Sequence, residues 1–296
     1  MITRRINTMT IRTLLIPNDG SDAIRFNLEL GFKVARDIEA HCVVLHVRPD
    51  PQDSMPIVVE SASASMIEQI IHMAIEEVGE RAAAAHKLFD DCCREAGIAV
   101  EVNPHGAPGG SAAWLEKTGR EDDAVAAAGR LADLIVVGRS EPDQQVSYGL
   151  VLDAALFETG RPVLLTPPGG AAKFGRRMAI AWNASPQAAR AVAAALPILS
   201  RAGEVAVMAV KADNALDGDA DGLITYLSWH GIEAVSHPVA VEGLSVGEAL
   251  LAECGKLEAD CLVMGAYTHS RMRQLILGGV TSHVLDHAEI PLFMAH

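Results

Sequence analysis

The chain has 296 residues, enough for two ordinary domains or one large one. It carries 24 Lys and Arg against 38 Asp and Glu, a formal charge of −14. That acidity argues against a nucleic-acid binder, which needs a basic face to displace counterions, and against docking on anionic membrane surfaces. Half of the residues are hydrophobic but only 4% are aromatic, so a large core must be built from Ala, Val, Leu and Ile. This mixture suits helices packed on buried strands. No apolar run approaches the ~18–20 residues that span a bilayer. Near the N-terminus Arg12 interrupts the first apolar stretch and no small-x-small site follows, so no secretory signal is expected. Five cysteines without a C-x-x-C pair fit neither a disulfide framework nor a zinc knuckle, and suit a reducing cytoplasm.

In chain order, short apolar runs predict strands near 13–17, 42–47, 98–102, 133–137 and 162–166, each followed by a helical pattern or a turn. A second series lies near 178–182, 205–210, 233–239, 261–264 and 291–295. The second series repeats the first. TLLIPNDGS from Thr13 matches RMAIAWNAS from Arg177. LADLIVVGRS from Leu131 matches EADCLVMGAY from Glu258, each closing an apolar run on a glycine, Gly138 and Gly265. Both are followed by a helical stretch and a proline-led apolar run, RPVLLTP and IPLFMAH. The join falls in the Pro/Gly-rich PPGGAAKFG near 167–175. The fold predicted is α/β, two tandem copies of a five-stranded parallel sheet with four helical segments each. The first copy is longer because a helix covers about 60–96 where the second has only about 220–230. The apolar closing strands would expose sticky edges unless they pair, which makes the two copies an intramolecular pseudo-dimer. Ligands of such sheets bind at the carboxyl ends of strands.

The loop after the fourth strand of the second copy is the leading candidate site. It runs from Gly265 through His269, Arg271 and Arg273 to Gly278-Gly279, where a helix opens with Thr281 and Ser282 in its first turn. Glycines before a helix N-terminus offer unpaired N–H groups and a positive dipole end to an anion. The bland alternative is that they only make turns.

This loop resembles the universal stress protein signature, G-x2-G-x9-G-[ST], whose nucleotide-binding members cradle ATP phosphates with it. Gly265 and Gly278 match at the correct spacing; Thr268 stands where the second glycine belongs and Gly279 where Ser or Thr belongs. The resemblance extends to PNDGS, LHV and HVLDHAEIPLFMA, and so over nearly the whole chain. It implies adenine-nucleotide-hydrolase-like, Rossmann-like domains over 10–168 and 176–296, edge pairing between them, and stress regulation through a bound ATP, ADP or AMP, with Mg²⁺ as the accompanying cation. Carried over by position, Asn183 would approach the nucleoside end and Val210 would offer backbone groups to adenine. Gly265, Thr268, His269, Gly278, Gly279, Val280 and Thr281 would surround ribose and phosphates. Asn183 cannot supply the charge of the family's Asp, and Thr268 adds a side chain where backbone should approach.

The first copy has the opposite defect. Asp19 is kept and Val47 closes its second strand, but its loop reads GRSEPDQQVSYGL. Gly138 and Gly149 are closer together, Leu150 replaces the small residue, and Glu141 and Asp143 stand where phosphates would lie. At ~4 Å and an effective dielectric near 20, each such like-charge contact costs about 4 kcal/mol. This half reads as structural or regulatory.

Other patterns carry less. Trp182 either stacks on a purine or covers the sheet edge. His46 reads as a packed, hydrogen-bonded core residue. His283 and His287 have metal-ligand spacing on one helix face but no third ligand. Gly243-Leu244-Ser245-Val246-Gly247 fits a G-x-S-x-G elbow, yet Ser245 with Glu248 also makes a capping box. Gly106, Gly109 and Gly110 are read as the corresponding turn of the first copy. No nucleophile or general base has a placed partner, so at most slow ATP hydrolysis is expected. The reading from another class is a nucleotide-free scaffold for a protein partner. Beyond the internal pairing, a homodimer is open.

Overall fold

The computed structural model describes residues 11–21, 23–49, 64–102, 109–139, 145–210, 220–241, 243–267 and 279–296. The first copy comprises β1 (Thr13–Asn18), α1 (Ile24–Ile38), β2 (His41–Arg48), α2 (Ala64–Ala96), β3 (Ala99–Val100), β4 (Ser111–Thr118), α3 (Glu121–Gly129), β5 (Leu134–Gly138), α4 (Gln145–Asp153, prolonged by a π-helical turn, Ala154–Glu158) and β6 (Val163–Thr166). The second comprises β7 (Arg177–Trp182), α5 (Pro186–Leu199), β8 (Glu204–Val210), α6 (Ala220–Trp229), β9 (Val235–Val239), α7 (Val246–Lys256), β10 (Cys261–Gly265), α8 (Val280–His287) and β11 (Leu292–Ala295). Among the described residues, no helix is long and apolar enough to cross a membrane.

Contacts divide the chain into two compact units, Arg12–Val136 with Ser140–Thr159, and Gly160–His296 with Val137–Arg139. The first unit has strand order β3-β4-β2-β1-β5, with every recorded pair parallel. In the second the order is β6-β11-β10-β7-β8-β9, parallel except where β6 meets β11. The two closing strands therefore do pair. They run antiparallel, with Leu292 opposite Leu165, Phe293 opposite Leu164 and Met294 opposite Val163. All six side chains are buried, which hides the apolar edges that would otherwise template aggregation.

The first copy has a strand that its sequence pattern did not announce. The run near 98–102 shrinks to the two-residue β3, and the third full strand is β4, SAAWLEKT, in register with β2 from His41 opposite Ser111 to Arg48 opposite Thr118. Its composition is helix-like and its burial fades along its length rather than alternating, from buried Ser111 and Ala112 to exposed Glu116, Lys117 and Thr118. Cross-strand partners hold the exposed end instead, with Arg48 Nε 2.8 Å from a Glu116 carboxylate oxygen. The reading of Gly109 and Gly110 changes accordingly: they lead into β4 rather than into a helix, and the turn before α3 is made at Gly119. Gly106 lies outside the described residues.

One acidic residue anchors each copy in the same way. Asp133, just before β5, accepts from the N–H groups of Arg12 (2.8 Å) and Thr13 (3.0 Å). Asp260, just before β10, accepts from those of Gly175 (3.0 Å), Arg176 (2.9 Å) and Arg177 (3.1 Å). Strand one and strand four of each sheet are thereby fixed side by side, which brings their carboxyl ends together.

Candidate functional site

The loop after strand one is the same turn in both copies. In the first, Asp19 Oδ1 accepts from the Ser21 N–H (2.8 Å); in the second, Asn183 Oδ1 accepts from the Ser185 N–H (3.2 Å). The residue between is left-handed in each, Gly20 at φ 82° and Ala184 at φ 55°. Ser185 then caps α5 by accepting from the Ala188 N–H (3.1 Å), and Pro186 pre-sets its first turn. Asn183 is exposed at the carboxyl end of β7. Trp182 beside it is half-buried, and its indole nitrogen is shielded from solvent with no hydrogen-bond partner among the described residues. Val210 is the last residue of β8, opposite Val239 of β9.

At the end of β10, Gly265 is set by packing. A Cβ there would lie 2.6 Å from Ala188 N and 2.8 Å from Gln187 C, so only glycine lets the start of α5 approach the strand. Tyr267 follows, and its N–H donates to the hydroxyl of buried Thr281 (3.3 Å) in α8. That bond draws the end of β10 to the first turn of α8. Gly279 is the N-cap of α8 and provides no side chain to it. The opposite end of α8 is well supplied: His283 O accepts from His287 Nδ1 (2.9 Å), Val284 O from the Ala288 N–H (2.9 Å), and Leu285 O from the Arg139 guanidinium (2.6 Å). A two-turn helix with the Arg139 guanidinium at its C-terminus and no side-chain cap from Gly279 at its N-terminus has its dipole oriented to favour an anion at that N-terminus. Asn183, Val210, Gly265, Gly279, Val280 and Thr281 are thus at strand ends or at the start of α8. Thr268, His269, Arg271, Arg273 and Gly278 lie outside the described residues.

The first copy differs at the corresponding place. Its helix α4 already begins at Gln145, so Gly149 is inside the helix rather than at its start. Glu141 and Asp143 lie outside the described residues. At the carboxyl ends of β1 and β4, Glu121 opens α3 near Asp19. Burial, with Asp19 and Asp122 close by, pushes the Glu121 carboxyl up to about 7. His46 is buried and donates from Nδ1 to Asn18 O (2.7 Å), while its ring stacks on Trp114 with centroids 5.6 Å apart. It is a packed core histidine. Val47, the next residue of β2, pairs with Lys117.

The remaining motifs resolve into packing and caps. Ser245 and Glu248 form the reciprocal capping box of α7, which accounts for both residues of the apparent serine elbow. Gly243 is left-handed at φ 85°, and Gly247 is needed because a Cβ would sit 2.8 Å from the His283 ring. His283 and His287 stack at 4.2 Å, and no group of three His, Cys, Asp or Glu residues among the described residues is arranged to hold a metal. All five cysteines are free and buried, and burial pushes the Cys93 and Cys254 thiols up to about 12. Sequence reasoning passed over Arg139 and Glu121; the Arg directly after the strand-closing Gly138 was the available signal for the first.

Residues 175–296 match the family model described as the universal stress protein family. No curated protein matches the chain. A universal stress protein from Archaeoglobus fulgidus DSM 4304 superposes with a TM-score of 0.71 at 18% identity, covering 97% of this chain and 98% of that one. A putative universal stress protein from Pseudomonas aeruginosa UCBPP-PA14 gives 0.57 at 14% identity, over 97% and 94% of the two chains. A functionally unknown protein from Pseudomonas aeruginosa PAO1 gives 0.56 at 14%, over 97% and 93%. At such identities these structures bear on the fold, which they share along the whole chain, while the family rests on the sequence match. Residues 175–296 thus form a universal stress protein family domain, and the fold of the solved universal stress proteins runs through both tandem copies.

Proposed function

We propose that the chain binds an adenine nucleotide, ATP, ADP or AMP, in its C-terminal copy and acts in a stress response through occupancy of that site rather than turnover. The observation that carries this reading is the start of α8. Its N-cap, Gly279, is bare, Thr281 ties it to the end of β10, and its C-terminus is held by Arg139. Phosphates would sit against the N–H groups of the first turn, and the purine near Asn183 and Val210. The residues suit Mg²⁺ only as a passenger of the phosphates, because Asn183 provides an amide where a carboxylate would be needed and no triad of metal-binding side chains is present among the described residues. Among the described residues the cysteines are buried, with the Cys254 thiol pushed up to about 12, and Ser245 serves as a helix cap. A cytoplasmic setting fits the free cysteines.

The scaffold reading draws on Asn183, whose oxygen is already engaged by Ser185 in a local turn. Mass spectrometry of small molecules released from freshly purified, denatured protein decides between the two. A stoichiometric adenine nucleotide supports ours; none, together with no calorimetric binding at millimolar ATP, supports the scaffold.

A further inference from the structure

We infer that Arg139, a residue of the first sequence copy, is a positioning residue for the nucleotide site of the second; the inference rests on the function proposed above. Arg139 directly follows β5, yet it belongs by contacts to the compact unit that contains β6 to β11. Its N–H donates to Thr166 O (2.9 Å) at the end of β6, which fixes its backbone. Its guanidinium reaches Leu285 O (2.6 Å), a carbonyl of the last turn of α8 that the helix itself leaves without a donor. Two neighbouring carbonyls, of His283 and Val284, are served from within the helix end. Arg139 thus contributes a donor to the C-terminal cap and adds a positive charge to the negative end of the dipole.

The helix so capped is short. α8 has eight residues, Val280–His287, and its N-terminal turn accepts, at Thr281, from the N–H of Tyr267 just past β10. A helix of two turns has little cooperativity of its own, so the bonds at its ends supplement the packing of its buried Val284 and Leu285. Loss of the Arg139 cap would fray α8 from the C-terminus and loosen the N–H groups that face the phosphates. Because the dipole and the N–H groups act on the phosphates, the loss should scale with phosphate charge and spare the nucleoside. The second copy's site would therefore be completed by a segment of the first copy, which gives the tandem arrangement a function beyond hiding a sheet edge.

The test is calorimetry on the full chain with adenosine, AMP and ATP, for the parent, Arg139→Met and Arg139→Lys. The expected result is ATP binding about 3- to 30-fold weaker in Arg139→Met, adenosine binding unchanged, and partial recovery in Arg139→Lys. Thermal melts of each variant check that the fold persists. Unchanged ATP affinity in Arg139→Met overturns the inference and leaves the nucleotide reading intact. An equal loss for ATP and adenosine also overturns it, since that marks general destabilisation. If the parent binds none of the three, the functional reading fails and this inference with it.

Discussion

The two connections that follow the fourth strand of each copy differ in length and in where the next helix begins. After β5 the chain reaches α4 by residue 145, and Gly149 is absorbed into the helix. After β10 the connection runs from 266 to the N-cap Gly279, and α8 begins with no side-chain cap. The strand-one turns show the reverse: Asp19 in the first copy keeps the carboxylate that Asn183 lacks, in otherwise matching geometry. On the function proposed above, each copy keeps one half of what a nucleotide site would use. The difference teaches that turn geometry and ligand chemistry are separable, since an amide and a carboxylate accept the same turn bond.

The sharpest break of the comparison is Gly279→Asp. The N-cap backbone, φ −71° and ψ 161°, accepts Asp, which caps helices better than Gly, so α8 should be as stable as before or slightly more so. A carboxylate beside the phosphates costs about 4 kcal/mol at ~4 Å and a dielectric near 20, which removes binding by about three orders of magnitude. Gly149→Asp, inside α4, should leave ATP affinity where it was. Equal loss in both variants, measured by calorimetry, would place the site in the wrong copy.

Stability should split the copies next. Gly265→Ala forces a Cβ into the backbone of Ala188 and Gln187, contacts at 2.6 and 2.8 Å that only movement of α5 can relieve. A loss of about 1–3 kcal/mol in urea unfolding is expected. Gly149→Ala meets nothing within 4 Å and replaces a mid-helix glycine, so a gain of about 0.5–1 kcal/mol is expected. If Gly265→Ala is harmless, the close approach of α5 to β10 is not what holds that glycine.

The tandem fold was legible because buried parallel strands are short apolar runs, and the runs came twice in the same order. β4 was not legible, because a strand whose outer half is exposed and carries Glu116 and Lys117 shows neither a continuous apolar run nor alternation. Ser245 with Glu248 was read correctly from spacing alone, since a capping box is local. The roles of Arg139 and Glu121 were hard to read for the opposite reason, even with Arg139 placed directly after Gly138. Arg139 bonds a carbonyl 146 positions away, and Glu121 is perturbed by Asp19, about a hundred residues earlier in the chain. Contacts of that range leave no periodic trace in a single sequence.

Glu121 also distinguishes the copies through pH. Its carboxyl titrates near 4.5 when unfolded and at about 7 when folded. Between those values the folded chain keeps a proton that the unfolded chain has lost, so stability falls as pH rises toward 7 and the deficit is complete above it. Asp19 and Asp122 face the group, and Arg120 offsets Asp122 at 2.6 Å. With solvent screening, Glu121→Gln should gain about 1–2 kcal/mol at pH 8 and almost nothing at pH 4.5. Chemical denaturation of both proteins across that range reads the difference, and parallel curves would refute the assignment.

The smallest effect is the most discriminating for the second copy. In Asn183→Asp the turn should survive, because Asp19 makes the same bond to its second neighbour at 2.8 Å. One carboxylate oxygen then stays with Ser185 and the other becomes available at the carboxyl end of β7. The new charge also escapes the penalty seen in the first copy, since α7 opens with Val246 where α3 opens with Glu121. Without a divalent cation the added charge repels phosphates, and ATP binding should weaken a few-fold. With Mg²⁺ bridging carboxylate and phosphates, one charge-assisted contact is gained, and binding should tighten about 3- to 10-fold over the parent. The sign of the effect therefore reverses with the metal, while adenosine affinity should be the same with and without Mg²⁺. Calorimetry with Mg²⁺ and with chelator reads all four values. A loss that Mg²⁺ does not reverse would mean that phosphates do not lie within reach of residue 183, and that the two strand-one turns share a shape without sharing a site.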